Sequence, residues 1–304
     1  MAKIFVAIAA FNERYIKQTV ESLIENKTSQ NDIVIQICDF RTTNEFENFQ
    51  NKQVIHKKFI SSIPTGVGVA RNIALDGFQK HEYVLQIDAH MLFGIDWDKN
   101  LIERHLLLEA KEGECIISQH LPAFFENKEK TLSNYVGENY LNGPSRLFIN
   151  NDCRVWSHPW EKTESEWYKE NSAVSAAFMF SKSKTFSKIP VDPLIFFFGE
   201  EHTIYMRMAS RGIKSFATDY FDIRHLDKTE TFFHDKEKRD WRTFSFSNSD
   251  KNVRLFEQFS HKRIGSILRG EITGLWGATN LETAQAVKQK MNISDELINK
   301  VFGR

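Results

Sequence analysis

Asp88 and His90 are the residues whose types and spacing promise chemistry. They close the run Tyr83-Val84-Leu85-Gln86-Ile87, a stretch interrupted by a single amide. A near-continuous apolar run is the pattern of a strand buried on both faces, and residues two apart on a strand share a side. The carboxylate and the imidazole therefore point one way at the strand end. One hard oxygen and one imidazole nitrogen can hold a divalent metal with coordination positions left open. Open positions at the C-terminal edge of a parallel sheet suit a ligand carrying phosphates. Taken alone, the pair is equally consistent with a polar strand end facing water.

The elements that must position this pair are readable upstream. Residues 4–10 read as a buried strand, 15–26 as a helix with Ile16, Val20, Leu23 and Ile24 on one face, and 33–38 as a second strand ending at Asp39. A short strand at 54–59 and a helix from Gly66 to about Gly77 precede the Asp88 strand. This β-α-β-α-β order predicts an α/β fold, a doubly wound and mostly parallel sheet, with Asp39 and Asp88 on its ligand-binding edge. Gly66 and Gly68 resemble part of a dinucleotide fingerprint. Position 71 holds Arg rather than the third glycine, however, and the preceding strand is not the first. With Arg71 on its first turn, that helix reads instead as an anion cradle.

Beyond the central strand, 97–108 reads as a helix and 115–118 as a strand. Residues 122–169 are irregular and aromatic (Tyr135, Tyr140, Trp156, Trp160, Trp167, Tyr168), which suits loops and edge strands shaping an acceptor surface. A strand is expected at 175–180, a rigid connector at 189–193, a helix at 203–210, and a last strand at 217–225 ending in His225. Residues 228–251 are charged and interleaved with Phe232, Phe233, Trp241, Phe244 and Phe246, and read as a loop or lid. Helices broken at Gly270, Gly274 and Gly277 complete the chain.

Composition narrows the function classes. With 40 basic and 40 acidic residues among 304, no global basic field advertises a nucleic-acid partner. Three cysteines without short spacing give neither a zinc motif nor a disulfide framework. The apolar N-terminus reaches Asn12, Glu13 and Arg14 too soon for a signal peptide, and no run reaches membrane-spanning length. The expectation is a soluble, cytoplasmic protein without a membrane partner.

Several short motifs occur in a telling order: Asp88-Ala89-His90, Trp97-Asp98, Val191-Asp192-Pro193, Phe198-Gly199-Glu200-Glu201 and His225. Together with Thr19 to Leu23 and the glycine-rich 274–284 stretch, they resemble the cytosolic polypeptide N-acetylglucosaminyltransferase family. That family is related to the mucin-type polypeptide N-acetylgalactosaminyltransferases. The resemblance implies a GT-A nucleotide-sugar-binding fold, with a catalytic domain over 1–227 and a lid and helical extension over 228–304. It also implies a divalent cation (usually Mn2+), a UDP-sugar donor, GlcNAc-like, and retention of anomeric configuration. Carried over by residue, Asp88, His90 and His225 are the metal ligands. Phe11, Asn12 and Glu13 contact uracil and ribose, Asp39 lies near the base, and Arg71 lies near the nucleotide. Glu200 and Glu201 face the donor sugar and acceptor.

Sugar transfer leaves negative charge on a departing diphosphate, so a cation clamped there is what catalysis requires. An inverting enzyme would also need a carboxylate base at the acceptor, which Glu200 or Glu201 could supply; acidic residues in a first helical turn are favoured without any such role. Two macromolecular acceptors remain open. The resemblance favours a protein hydroxyl. The basic run Lys236, Lys238, Arg239, Arg242, Lys251, Arg254, Lys262 and Arg263 admits a hydroxylated base in DNA, although Asp235, Glu237, Asp240 and Asp250 dilute it. Readings of other classes are a metal-dependent phosphohydrolase or nucleotidyltransferase, disfavoured by the lack of a second acidic cluster, and a catalytically dead binding module.

Overall fold

The computed structural model describes residues 2–61, 65–126, 132–133, 144–163, 165–220, 222–226 and 251–303. Its first strand, β1 (Lys3–Phe11), is buried at every position after Lys3, because it lies inside the sheet with both faces covered. Parallel to it on either side run β2 (Asp32–Arg41) and β4 (Tyr83–Asp88), with β3 (Val54–Ile60) parallel to β2. In register, Ala9 pairs with Asp88 and Ala10 with Asp39. Both carboxylates thus come to the C-terminal edge, as the strand order predicts.

The sheet is mixed beyond that half. Its order is β11-β13-β6-β12-β4-β1-β2-β3, where β6 is Cys115–Ile117, β11 Tyr168–Glu170, β12 Phe178–Lys182 and β13 Lys214–Thr218. Strand β12 runs antiparallel to both β4 and β6, and β11 antiparallel to β13. Alternation along β1 divides the core. Ile4, Val6 and Ile8 pack with α1 (Ile16–Glu25) and α3 (Trp97–Glu112). Phe5, Ala7 and Ala9 face α2 (Val67–Ala74) and α5 (Glu200–Ala209), on the side to which the C-terminal helices also belong. A four-residue helix, α4 (Ser183–Phe186), follows β12.

A smaller sheet, ordered β5-β14-β7-β8, caps the edge; its members are Met91–Phe93, Ile223–Leu226, Ala123–Glu126 and Leu132–Ser133 respectively. A separate hairpin joins β9 (Ser145–Ile149) to β10 (Val155–Pro159). The single strand expected over 217–225 is therefore two strands in two sheets. After β13 the chain turns away, with Asp219 N–H on Trp167 C=O and Asp222 C=O taking Gly94 N–H at 2.6 Å. A Cβ on Gly94 would overlap the Asp222 side chain as it stands, so the glycine gives that side chain its room beside the strand switch.

The C-terminal helices are α6 (Lys251–Arg269), α7 (Leu281–Met291) and α8 (Asp295–Phe302). Gly270 at φ +81° ends α6, Asn280 and Thr283 form a capping box on α7, and the Ser294 side chain caps α8. Ile264 and Phe302 close over Gly199, where any Cβ would strike them. Among the described residues no helix is long and apolar enough to cross a membrane. Tyr135, Tyr140 and the lid expected over 228–250 lie outside the described residues.

Two sequence expectations about α2 change. The helix begins at Val67 and Arg71 lies one turn in, buried and directed beneath the sheet edge, so it makes no first-turn anion cradle. The glycines serve close backbone approach instead. Gly66 has φ +90°, Val67 and Gly68 donate to the carbonyls of Phe196 and Ile195, and a Cβ on Gly68 would sit 2.3 Å from Asp192 O and 2.7 Å from Ile195 O. Gly68→Ala is expected to destabilise the protein by about 1–3 kcal/mol, read as a lower urea midpoint at unchanged m-value.

Candidate active site

Three side chains far apart in sequence converge at the C-terminal edge. The ligand atoms of Asp88, His90 and His225 lie within 4.8 Å of one another. Asp88 Oδ2 is 3.4 Å from His225 Nε2 and 3.9 Å from His90 Nε2, and the imidazoles stand edge to face with centroids 4.7 Å apart. Asp88 and His90 stand on either side of a tight turn between β4 and β5. Thr19 of α1 clamps that turn, its hydroxyl donating to Ala89 C=O and accepting Met91 N–H. His225 arrives on β14, whose Leu226 N–H bonds His90 C=O.

Two of the three ligands have their second polar atom anchored. Asp88 Oδ1 accepts from Arg71 Nη2 at 3.1 Å, and His90 Nδ1 lies 2.9 Å from Glu13 Oε2. Arg71 Nη1 bonds Ala176 C=O. Its Nε is 3.1 Å from Glu200 Oε1, an ion pair whose angles make no aligned hydrogen bond. Glu201 Oε1 takes the Ala176 N–H at 2.9 Å.

The charge balance is uneven: Asp88, Glu200 and Glu201 surround one guanidinium. Burial would raise the Asp88 carboxyl, but the bond to His225 and the charges of Arg71 and His90 outweigh it and hold it well below the usual carboxylate range. Glu200 and Glu201 go the other way, Glu201 to about 7, each chiefly through burial and with the other acids adding to it. A carboxylate oxygen, two imidazole nitrogens and surplus acid fit a divalent cation, and mixed N/O ligation suits manganese better than magnesium.

A cleft of about 420 Å3 opens beside this cluster and is lined by Phe11, Glu13, Arg71, Asp88, His90, Glu200, Glu201 and His225. Two expected nucleotide contacts face elsewhere. Asn12, at φ +48°, turns its side-chain oxygen to Thr42. Asp39 is fully buried, with its carboxylate taken by Arg41 Nε and His56 Nε2. Glu13, expected at the uracil, has its carboxylate on His90 and on Tyr15 N–H. Helix α5 starts at Glu200 rather than near 203, so both acids sit in its first turn, behind Gly199 at φ +91°.

Sequence reading passed over two further cleft residues. Arg154 follows Cys153, whose φ of +56° closes the β9–β10 turn. The Asn150-Asn151-Asp152 cluster was the available turn signal, and the Asn150 side chain accepts from Asp152 N–H and Arg154 N–H. His202 follows Glu201 directly, and that adjacency was the available signal. It is buried against Phe198 and Phe302 with neither ring nitrogen hydrogen-bonded.

Among known proteins, the family model described as "Glycosyltransferase (GlcNAc)" matches residues 39–303. A solved structure of GalNAc-T7 with UDP, GalNAc and Mn2+ is similar at 14% identity and TM-score 0.59, covering 98% of this chain and 56% of that one. S. aureus TarS 1-349 aligns at 11% identity and TM-score 0.43, covering 99% of this chain and 92% of that one. This chain thus spans little more than half the length of the GalNAc-T7 chain, and at such identity the likeness is one of fold. No curated protein matches significantly.

Two outcomes test the site's energetics. Arg71→Met leaves Glu200 and Asp88 without their shared cation and is expected to cost about 3–5 kcal/mol at neutral pH, measured by chemical unfolding. Burial pushes His202 down to about 4 from an ordinary 6.5. Between those values the unfolded chain binds a proton that the folded chain does not, so stability falls as pH drops through the window. From pH 7 to 5 the wild type is expected to lose about 2 kcal/mol more than His202→Phe.

Proposed function

Because the chain belongs to the family described as "Glycosyltransferase (GlcNAc)", and so is a sugar-transferring enzyme, we propose that it is metal-dependent and moves a GlcNAc-like sugar from a UDP-sugar to a protein hydroxyl with retention. The observation that carries this reading is the convergence of Asp88, His90 and His225 within 4.8 Å at the mouth of the cleft. Membership argues against the phosphohydrolase and nucleotidyltransferase readings, and the turnover assay below tests the inert-module one.

When bound, a divalent cation at this cluster supplies positive charge against the diphosphate that departs. The protein's own groups do the rest. Arg71 holds Asp88 Oδ1 and so aims Oδ2 at the two imidazoles. Glu200 keeps Arg71 in place from behind and acts as a positioning residue. Glu201, partly exposed and anchored by one oxygen to Ala176 N–H, is the acid that meets the donor sugar or the acceptor. In a retaining transfer the bond from the anomeric carbon to the β-phosphate oxygen breaks and one to the acceptor oxygen forms on the same face. The acceptor proton passes to the leaving phosphate, so no dedicated base is needed.

In this reading residues 1–227 are the catalytic domain and 228–304 a lid segment with a helical extension. That the described part of the extension, 251–303, braces the domain is supported by the packing of α6 and α7 on α5. A cytoplasmic setting belongs to the same reading and accords with three buried free thiols, Cys38, Cys115 and Cys153. Of the basic residues that admit a DNA acceptor, Lys251, Arg254, Lys262 and Arg263 lie on α6, and the Arg263 guanidinium is bonded to Asp192. Those from 236 to 242 lie outside the described residues. Lys251, Arg254 and Lys262 are exposed, so a DNA acceptor stays testable; the reading adopted is a protein acceptor, on the resemblance to the polypeptide transferases.

Purified protein given Mn2+ and a panel of UDP-sugars is expected to release UDP fastest from UDP-GlcNAc and to stop when EDTA is added. Asp88→Asn and His225→Ala are each expected to lower kcat at least about 100-fold. Turnover unchanged by chelation would refute the metal dependence. Acceptor binding that collapses with salt would point to DNA instead.

A further inference from the structure

Glu13 stands where a nucleotide contact is expected, yet its carboxylate serves another purpose. Oε2 lies 2.9 Å from His90 Nδ1, and Oε1 is fixed by Tyr15 N–H at 3.1 Å. The residue is 6% exposed. Its backbone is held as firmly, because Arg41 Nη2 donates to Glu13 C=O at 2.7 Å and the preceding Asn12 N–H bonds Phe40 C=O. Asn12 itself adopts φ +48°, a conformation that turns the chain sharply at the end of β1. The turn is thus built to present one carboxylate to one ring nitrogen of one imidazole.

We infer that Glu13 is the positioning residue for His90: it accepts the Nδ1–H, selects that tautomer, and so leaves the Nε2 lone pair facing Asp88 Oδ2 and His225. A carboxylate behind a ligating imidazole fixes its rotation and raises its basicity. The arrangement parallels the other arm of the cluster, where Arg71 occupies Asp88 Oδ1 and leaves Oδ2. The β1 turn therefore acts on the nucleotide side of the cleft through the cation rather than by touching the base. This inference rests on the metal reading above.

The test is Mn2+ affinity of the full chain, measured by titration while watching the electron paramagnetic resonance signal of free Mn2+. Glu13→Ala is expected to weaken Mn2+ roughly 10- to 100-fold, whereas Glu13→Gln, whose amide oxygen still accepts the Nδ1–H, recovers most of that loss. UDP affinity at saturating Mn2+ is expected to stay within about threefold in both variants. Wild-type Mn2+ affinity retained in Glu13→Ala, with UDP affinity falling instead, overturns the inference and returns Glu13 to the nucleotide. If wild-type protein binds no Mn2+, the metal reading fails and this inference with it. A second measurement needs no variant to fold: long-range 1H–15N spectra of wild-type protein loaded with diamagnetic Zn2+ are expected to show His90 protonated on Nδ1 and bound through Nε2. A His90 ring bound through Nδ1 overturns the inference outright.

Discussion

The Arg71 guanidinium is the constraint on which the site depends. It is a buried cation that touches β4 through Asp88, the segment before β12 through Ala176, and α5 through Glu200. Burial opposes its charge, and the neighbouring acids more than restore it. A flexible ammonium would not serve, because three partners in different directions need a planar fork. The surrounding architecture exists to bring both ends of that fork into place. Gly66 and Gly68 let α2 lie against the backbone at 192–196, and Gly199 lets α6 and α8 press on the start of α5.

Much of the fold was legible because it rests on local patterns. Continuous apolar runs mark β1, β2 and β4 and put Asp88 at the edge. His90 lies past the end of β4, so the turn clamped by Thr19, not a shared strand face, brings it beside Asp88. Alternation along β1 further assigns its two faces to different helices. What was not legible rests on pairing at a distance. Asp39 reaches the edge as expected, yet its fate depends on the β2–β3 register. That register sets Ile37 beside His56 and so brings the imidazole within reach of the carboxylate two positions on. No local pattern encodes such a diagonal.

Two other departures have similar causes. The stretch from Ala217 to Ile223 reads through as one strand although Asp219 and Asp222 interrupt it, and the apposition of Asp222 to Gly94 reveals the switch of sheets. The antiparallel β12 likewise leaves no signature in its own residues, since a buried strand reads alike in either direction. The pairing of Glu13 with His90 was hidden for a further reason. A motif borrowed from relatives says which residues gather around a ligand, but hydrogen-bond geometry decides which of them touches it.

His225 comes to the cluster from a different sheet than Asp88, and the two are 137 residues apart in the chain. Any ion shared between them is therefore a removable cross-link. Unlike a disulfide it would be released on unfolding, so it would stabilise by binding the folded chain and not the unfolded one. In the proposed reading, cation supply would then bear on the stability of the folded chain as well as on turnover, with the backbone bond from Leu226 N–H to His90 C=O left to hold the two sheets when the ion is stripped.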